Sequence, residues 1–429
     1  MTIVERLRGL RMDTTPLRES KDFRLLFVAG TVFAFGSMIT YVAIPYQVYE
    51  LTGSNLMVGL VGLVELVPLI VFGLWGGALA DHFDRRRLLV GCGVAQFVLV
   101  GLLALNSFVG EPRLWGLFVL AALLTSTASL QRPSREALMP RTVRHEQIPA
   151  AQALTSLGGQ MGLLAGPMVG GLLIAWVGIG WCFALDACGL VVATAMYVAM
   201  RPYPHTGATT PPSIASIVEG IRYGLGRRDL LGTYTVDIAS MFLAMPVVLF
   251  PAMAEEVFEA PERLGLLYAA GTVGAVLATA TSGWISRVHR HGAAITVAAA
   301  LYGLMVALAG LSPSFWLALV FLALAGASDM VSAIFRGTVW NQTIPEHMRG
   351  RLAGMEMLSY SLGPRTGQVR GGFVADAWTV RGAVVSGGLA CIVGVAATAA
   401  ALRTFWTYDS RTDEHAVAER LVRAGRGEG

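Results

Sequence analysis

The chain has 429 residues, 55% of them hydrophobic and 14% charged, with a net charge of +4. Soluble domains carry about a quarter charged residues, so this composition excludes an ordinary soluble protein. The four cysteines, Cys92, Cys182, Cys188 and Cys391, show neither metal-ligand spacing nor a disulfide framework.

A helix that crosses a bilayer needs about 20 mostly apolar residues. Lipid leaves exposed backbone groups unsatisfied, so helices are the expected spanning element. Twelve runs qualify: 23–47, 56–80, 88–108, 114–138, 150–177, 180–200, 230–252, 264–286, 293–311, 314–338, 352–377 and 382–402. Run 1 is too long for the apolar part of a signal peptide, and no small-residue cleavage site follows it. With both ends in the cytoplasm, the inner segments and their flanks take all basic residues except Arg113, Arg263, Arg365, Arg370 and Arg381. The outer loops are nearly bare apart from Glu255, Glu256, Glu259 and Glu262. This is a positive-inside pattern, and it predicts an N-in, C-in, multi-pass protein rather than a nucleic-acid binder.

Run 2 closes on Gly76-Gly77-Ala78-Leu79-Ala80-Asp81-His82-Phe83-Asp84-Arg85-Arg86-Arg87, a glycine and an aspartate four residues apart and then a basic cluster. Read alone, it is a solvated inner turn. Run 5 carries Gly162, Gly166-Pro167 and Gly170-Gly171, small residues at four-residue spacing that let helices approach closely. Between runs 6 and 7 lies the longest polar interval, Arg201 to Asp229, with Pro202, Pro204, Pro211 and Pro212. Its end, 214–225, has apolar residues at helical spacing and predicts a short amphipathic helix on the inner leaflet.

The halves on either side echo each other. Gly77, Asp81 and Arg85 find a worn copy in Gly283, Arg287 and Arg290, and Gly166-Pro167 with Gly170-Gly171 in Gly363-Pro364 with Gly371-Gly372. The expected organisation is therefore an inner N-terminal segment (1–22), a six-helix bundle (23–200), a linker (201–229), a second six-helix bundle (230–402) and an inner tail (403–429).

These features resemble the major facilitator transporters. The Gly77–Arg86 turn is similar to their Gly-x-x-x-Asp-x-x-Gly-Arg/Lys-Arg/Lys loop, with Asp84 standing where that family usually has glycine. The run 5 string resembles the antiporter motif of proton-driven exporters. Phe23-Arg24-Leu25-Leu26-Phe27, Arg132-Pro133-Ser134-Arg135-Glu136 and Met348-Arg349-Gly350-Arg351 add a likeness to the drug–proton antiporter branch, which includes siderophore exporters.

The resemblance implies an all-α fold of 12 transmembrane helices in two pseudo-symmetric bundles, in the bacterial cytoplasmic membrane. It implies a gate formed by Gly77, Asp81, Arg85 and Arg86, with the aspartate meeting a nearby arginine and the N-terminus of helix 11. It further implies a monomer that exports a siderophore-like or hydrophobic drug-like molecule by alternating access, with protons and membrane lipids as its other partners. The alternatives are a lysophospholipid transporter of the same fold and a non-transporting receptor. No cofactor motif, metal triad or catalytic set appears, so an enzyme is not expected.

Ionisable residues within spans are costly and point to function. Glu65 lies nine residues into run 2, near mid-bilayer at about 1.5 Å per residue, and Asp329 and Arg365 lie at similar depth in runs 10 and 11. These three are the candidates for proton coupling in a central cavity. The alternative is a fixed pair, Asp329 with Arg365. Asp186 and Asp237 are shallower and suit local pairing or capping. Glu356 suits the first turn of helix 11, and Arg336 and Arg370 suit snorkelling to the interface. Tyr41, Tyr46, Phe335 and Trp340 are candidate cavity aromatics, against the commoner role of packing.

Overall fold

The computed structural model describes residues 13–82, 84–109, 111–203 and 222–425; the side chains of 74–82, 346–347, 349–351, 353–355, 357–358 and 422–425 lie outside that description. Among the described residues there is no strand, and twelve helices are long. They are Lys21–Thr52 (α1), Asn55–His82 (α2), Arg85–Phe108 (α3), Leu114–Leu138 (α4), Ile148–Trp176 (α5), Ile179–Ala199 (α6), Arg228–Ala244 (α7), Leu264–Ala280 (α8), His291–Leu311 (α9), Phe315–Thr343 (α10), Glu346–Ala377 (α11) and Val380–Ala401 (α12). A tail helix, Glu414–Gly425 (α13), follows. The amphipathic helix expected at 214–225 lies outside the described residues, except that 222–226 is helical.

Among the described residues eleven spans are long and apolar enough to cross a membrane, those of α7 and α8 counted with their adjoining turns as Arg228–Val257 and Pro261–Ala280. The exception is α11, which begins earlier than the predicted run and carries Glu346, Arg349, Arg351, Glu356, Arg365, Arg370 and Asp376. Glu356 consequently stands in its third turn, not its first, and is exposed. The predicted run at 230–252 is also broken. α7 stops before Met245-Pro246, and short 3-10, α and π turns continue to Val257, because prolines at 246 and 251 supply no backbone N–H to the preceding turn. α8 ends at Ala280, and Ser282–Arg287 winds on as a 3-10 helix.

Helix ends follow local chemistry. Gly53 takes φ +59° after α1, and its N–H bonds to the Tyr49 carbonyl at 2.7 Å, the left-handed stop that glycine adopts without strain. Asp84 is the N-cap of α3, its carboxylate accepting from the Arg87 N–H at 3.0 Å. That explains why an aspartate serves where the resembling loop has glycine. α1 and α2 run through internal prolines, Pro45 and Pro68.

The chain divides into two compact units, Met1–Ala43 with Val71–Pro211, and Ile44–Ile70 with Pro212–Gly429. α1 and α2 thus each contribute to both. In the first unit α3 packs on α4 and α6, and Phe23, Leu26, Leu89, Leu138, Leu154 and Tyr197 form a buried cluster. α5 lies on α1 along Gly158, Gly162, Gly166 and Gly170; a Cβ at Gly162 would come within 2.8 Å of Ala34. In the second unit α9 packs on α10 and α12, and α8 on α10. α11 lies on α7 in the same manner, and a Cβ at Gly367 would come within 2.3 Å of the Met241 carbonyl. The tail folds back here: Phe405 and Tyr408 are buried, and the Ser410 N–H bonds to the His289 carbonyl at 3.0 Å.

Candidate transport site

In the first unit a cavity of about 360 Å3 opens among α1, α4 and α5, with Phe27, Thr31, Arg135, Glu136, Gln152 and Thr155 on its wall. Its polar groups come from the inner end of α4, where the resemblance-bearing string Arg132–Glu136 lies, from α5 and from Thr31 of α1. Glu136 is held by Arg132 at 2.9 Å. The Arg135 guanidinium sits 5.4 Å from the centroid of the Phe33 ring, an attraction of a cation to an aromatic face. A cation, two hydroxyls, an amide and an aromatic ring on one wall suit an amphipathic molecule with an aromatic or anionic part.

The gate residues divide. Gly77 and Asp81 lie within α2, and their side chains fall outside the described residues. Arg85 donates to the Ala137 carbonyl at 3.4 Å, and Arg86 through Nε to the Tyr197 carbonyl at 3.1 Å. Both arginines therefore sit on the C-terminal carbonyls of neighbouring inward-ending helices, where the helix dipole favours a cation. Gly162, Gly166 and Gly170 of the antiporter string are buried against α1; Pro167 and Gly171 are buried as well. Gly158, one turn before, belongs to the same stripe and was not singled out by sequence. Its four-residue spacing from Gly162 was the available signal.

In the second unit the charges pair in a pattern the sequence did not give. Arg365 of α11 forms a hydrogen-bonded ion pair with Glu65 of α2. Asp329 is not its partner: Asp329 lies 3.9 Å from Arg336, both on α10. Arg336 is buried and bonds the Asp237 carboxylate of α7 at 2.9 Å, so it does not snorkel. The hydroxyl of Ser359 on α11 completes Asp237 at 2.8 Å. α7, α10 and α11 thus converge on the Arg336–Asp237 pair, because a buried guanidinium needs acceptors that lipid does not supply. Arg370 likewise turns inward, to the carbonyl of Leu243.

Of the candidate cavity aromatics, Phe335 has no exposed surface and packs edge-on to Trp284 at 6.1 Å and against His291 at 5.4 Å. It is core, since the 3-10 helix that follows α8 and the first residue of α9 close over it. Tyr46 is buried and bonds Glu255. Trp340 is half-buried, its Nε1–H donating to Thr233 at 2.8 Å. Tyr41 is half-buried in the first unit.

A further constellation lies at the outer ends of the second unit. Asp376, near the end of α11, accepts from the N–H groups of Asn55 and Leu56 at 2.8 and 3.0 Å and from the Ser54 hydroxyl at 2.6 Å. It caps the N-terminus of α2 from a distant helix, satisfying amide groups that have no intrahelical acceptor. Beside it Tyr49 donates to Glu256. Nothing in the spacing of Asp376 along the chain signals this partner.

Glycine-welded helix pairs, buried ion pairs within spans and an inner cavity on the first unit define a multi-pass membrane transporter of the major facilitator type. The sequence profile of the transmembrane secretion effector family matches residues 12–425, and the chain belongs to that family. It is 30% identical over 382 residues to the enterobactin exporter EntS of Shigella boydii serotype 18 and to that of Escherichia coli O1:K1, covering 88% of this chain and 91% of each relative. Three solved structures share the fold. A bacterial homologue of the human lysosomal transporter Spinster, inward-facing and unoccupied, has a TM-score of 0.67 at 14% identity, covering 93% of this chain and 96% of the other. The nucleoside transporter NupG gives 0.68 at 12%, covering 91% and 99%. A bacterial homologue of the iron transporter ferroportin, inward-facing, gives 0.67 at 15%, covering 90% and 98%. The protein is accordingly a multi-pass transporter of the bacterial inner membrane and not an enzyme.

Proposed function

We propose that the protein exports a siderophore-like or hydrophobic drug-like molecule across the cytoplasmic membrane by proton-coupled alternating access, as a monomer among membrane lipids. The observation that carries the reading is the Glu65–Arg365 pair within the spans of a chain 30% identical to enterobactin exporters. Charge buried in a membrane is retained where it serves transport. Substrate enters from the inner side at the cavity around Arg135, and a carboxylate accepts a proton as substrate leaves outside. Glu65 and Asp329 serve coupling, with Arg365 as counter-charge, and the inner gate comprises Gly77, Asp81, Arg85 and Arg86. Each inward proton charge gains about 2.3 kcal/mol per 100 mV of membrane potential, which drives the cycle outward for a neutral or anionic substrate.

The test uses purified protein in liposomes of verified orientation, with a pH-sensitive dye inside and an imposed proton gradient. Enterobactin and, separately, ethidium are added. Substrate-dependent proton flux with either supports the reading and ranks the two classes. Absence of flux with both overturns it.

A further inference from the structure

Asp186 of α6 is a buried acid that no part of this scheme uses and that, unlike Asp237, has no salt bridge among the described residues. It lies seven residues from Ile179, the first residue of α6, about 10 Å along the helix at 1.5 Å per residue, and is 3% exposed. Its Oδ2 accepts from the Thr40 hydroxyl of α1 at 2.5 Å. The carboxyl lies flat on the α1 backbone: a Cβ at Gly36 would meet its Oδ1 at 2.2 Å, so only glycine leaves that position open.

The helices around it supply no countercharge. α1 has no charged residue between Arg24 and Glu50, and α3 has none between Arg87 and Glu111. α5 has none at all, and α6 has only Asp186. The nearest other titratable groups on α6 and α1 are thiols and a phenol; Cys188, two residues from Asp186, is exposed. Cys182, one turn away, gives its thiol to the Gly170 carbonyl at 3.5 Å, and Tyr41 adjoins Thr40. Among the described residues no cation is in ion-pair contact with Asp186. In the second unit Glu65 and Asp237 each have a guanidinium.

A buried carboxylate with no cation is neutralised by a proton or not at all. A threonine hydroxyl donates to the ionised form and accepts from the protonated one. The pair therefore keeps a hydrogen bond in both states, as reversible proton exchange requires. Thr40 also lies on the helix that walls the inner cavity at Thr31 and Ala34, so one rigid element carries both events.

We infer that Asp186, with Thr40, is a reversible proton-binding site of the first unit and, given proton-coupled export, a second coupling residue beside Glu65. The proton site itself stands apart from that reading; its role in the cycle rests on it.

The first measurement is infrared difference spectroscopy of the full chain in lipid across a pH titration. A protonated-carboxyl band that shifts in heavy water and vanishes in Asp186→Asn is expected. Thr40→Val, which leaves the carboxyl in place, is expected to raise that band's midpoint by about 5-fold in proton affinity, because the lost hydrogen bond is stronger to the ionised carboxylate than to the protonated acid. The second measurement is flux in the liposomes described above. Asp186→Asn is expected to lower enterobactin-driven proton flux at least 10-fold while exchange without a gradient persists. An unchanged band in the variants, or full flux with wild-type pH dependence in Asp186→Asn, overturns the inference. If wild-type protein shows no flux but the Asp186 band titrates, export fails and the proton site stands. Should Asp186→Asn not assemble, Thr40→Val decides: an unmoved midpoint overturns the site.

Discussion

Replacing Arg336 by methionine isolates the energetics of the second unit. Arg336 holds Asp237 at 2.9 Å and Ser332 at 3.1 Å, with Asp329 at 3.9 Å. Without the guanidinium, Asp237 keeps only the Ser359 hydroxyl and remains buried. Removing one partner of a buried pair costs about 3–5 kcal/mol, whereas replacing both by neutral groups of similar volume is close to neutral. Asp329 adds little, because 39% of its side chain is exposed. At about 2–4 °C per kcal/mol for a unit of this size, Arg336→Met is expected to lower the unfolding midpoint by about 6–20 °C. The double variant Asp237→Asn/Arg336→Met is expected to recover at least half of that loss. Tryptophan fluorescence of the detergent-solubilised protein on heating reads both. A midpoint for Arg336→Met within about 2 °C of wild type, or a double variant less stable than Arg336→Met, refutes the reasoning.

Three further outcomes are expected. Glu65→Gln strands Arg365 and is expected to abolish proton-driven flux while the protein still elutes at its normal size; Glu65→Gln/Arg365→Gln restores stability but not coupling, as liposome flux and melting together will show. Asp376→Ala removes a cap worth about 1 kcal/mol, so the amides of Asn55 and Leu56 are expected to exchange hydrogen about 5-fold faster by mass spectrometry, with amides of α3 unchanged. Gly162→Leu drives a side chain into the α1 backbone, where even a Cβ meets Ala34 at 2.8 Å, whereas Gly159→Ala meets nothing within 4 Å; the first is expected to abolish the folded peak in size-exclusion chromatography and the second to leave it intact.

The fold was largely legible because apolar length is a linear property of the chain. Run boundaries failed where a local device intervened: Pro246 cut α7, and the charges of α11 hid its first turns. The glycine stripe of α5 was readable because its four-residue spacing is itself the contact. The ion pairs were not. Glu65, Asp237, Asp329, Arg336 and Arg365 were each conspicuous as charges in apolar runs, but pairing depends on which helices adjoin and at what height, and no spacing encodes that. The sequence therefore leaves open whether Arg365 pairs with Glu65 or with Asp329 of the preceding helix, and the structure pairs it with Glu65, far away in sequence. Asp376 escaped notice because a carboxylate at a helix end ordinarily serves its own helix.

Pro45 and Pro68 fall within two or three residues of the places where α1 and α2 pass from one compact unit to the other, at 43/44 and 70/71. Each proline withdraws an amide from the hydrogen-bond ladder of its helix. Bending therefore costs least at those two points. Two of the longest rods in the molecule carry their weakest joints at the crossing, and a segment exchanged for a proline-free one would be stiffer where the chain changes allegiance.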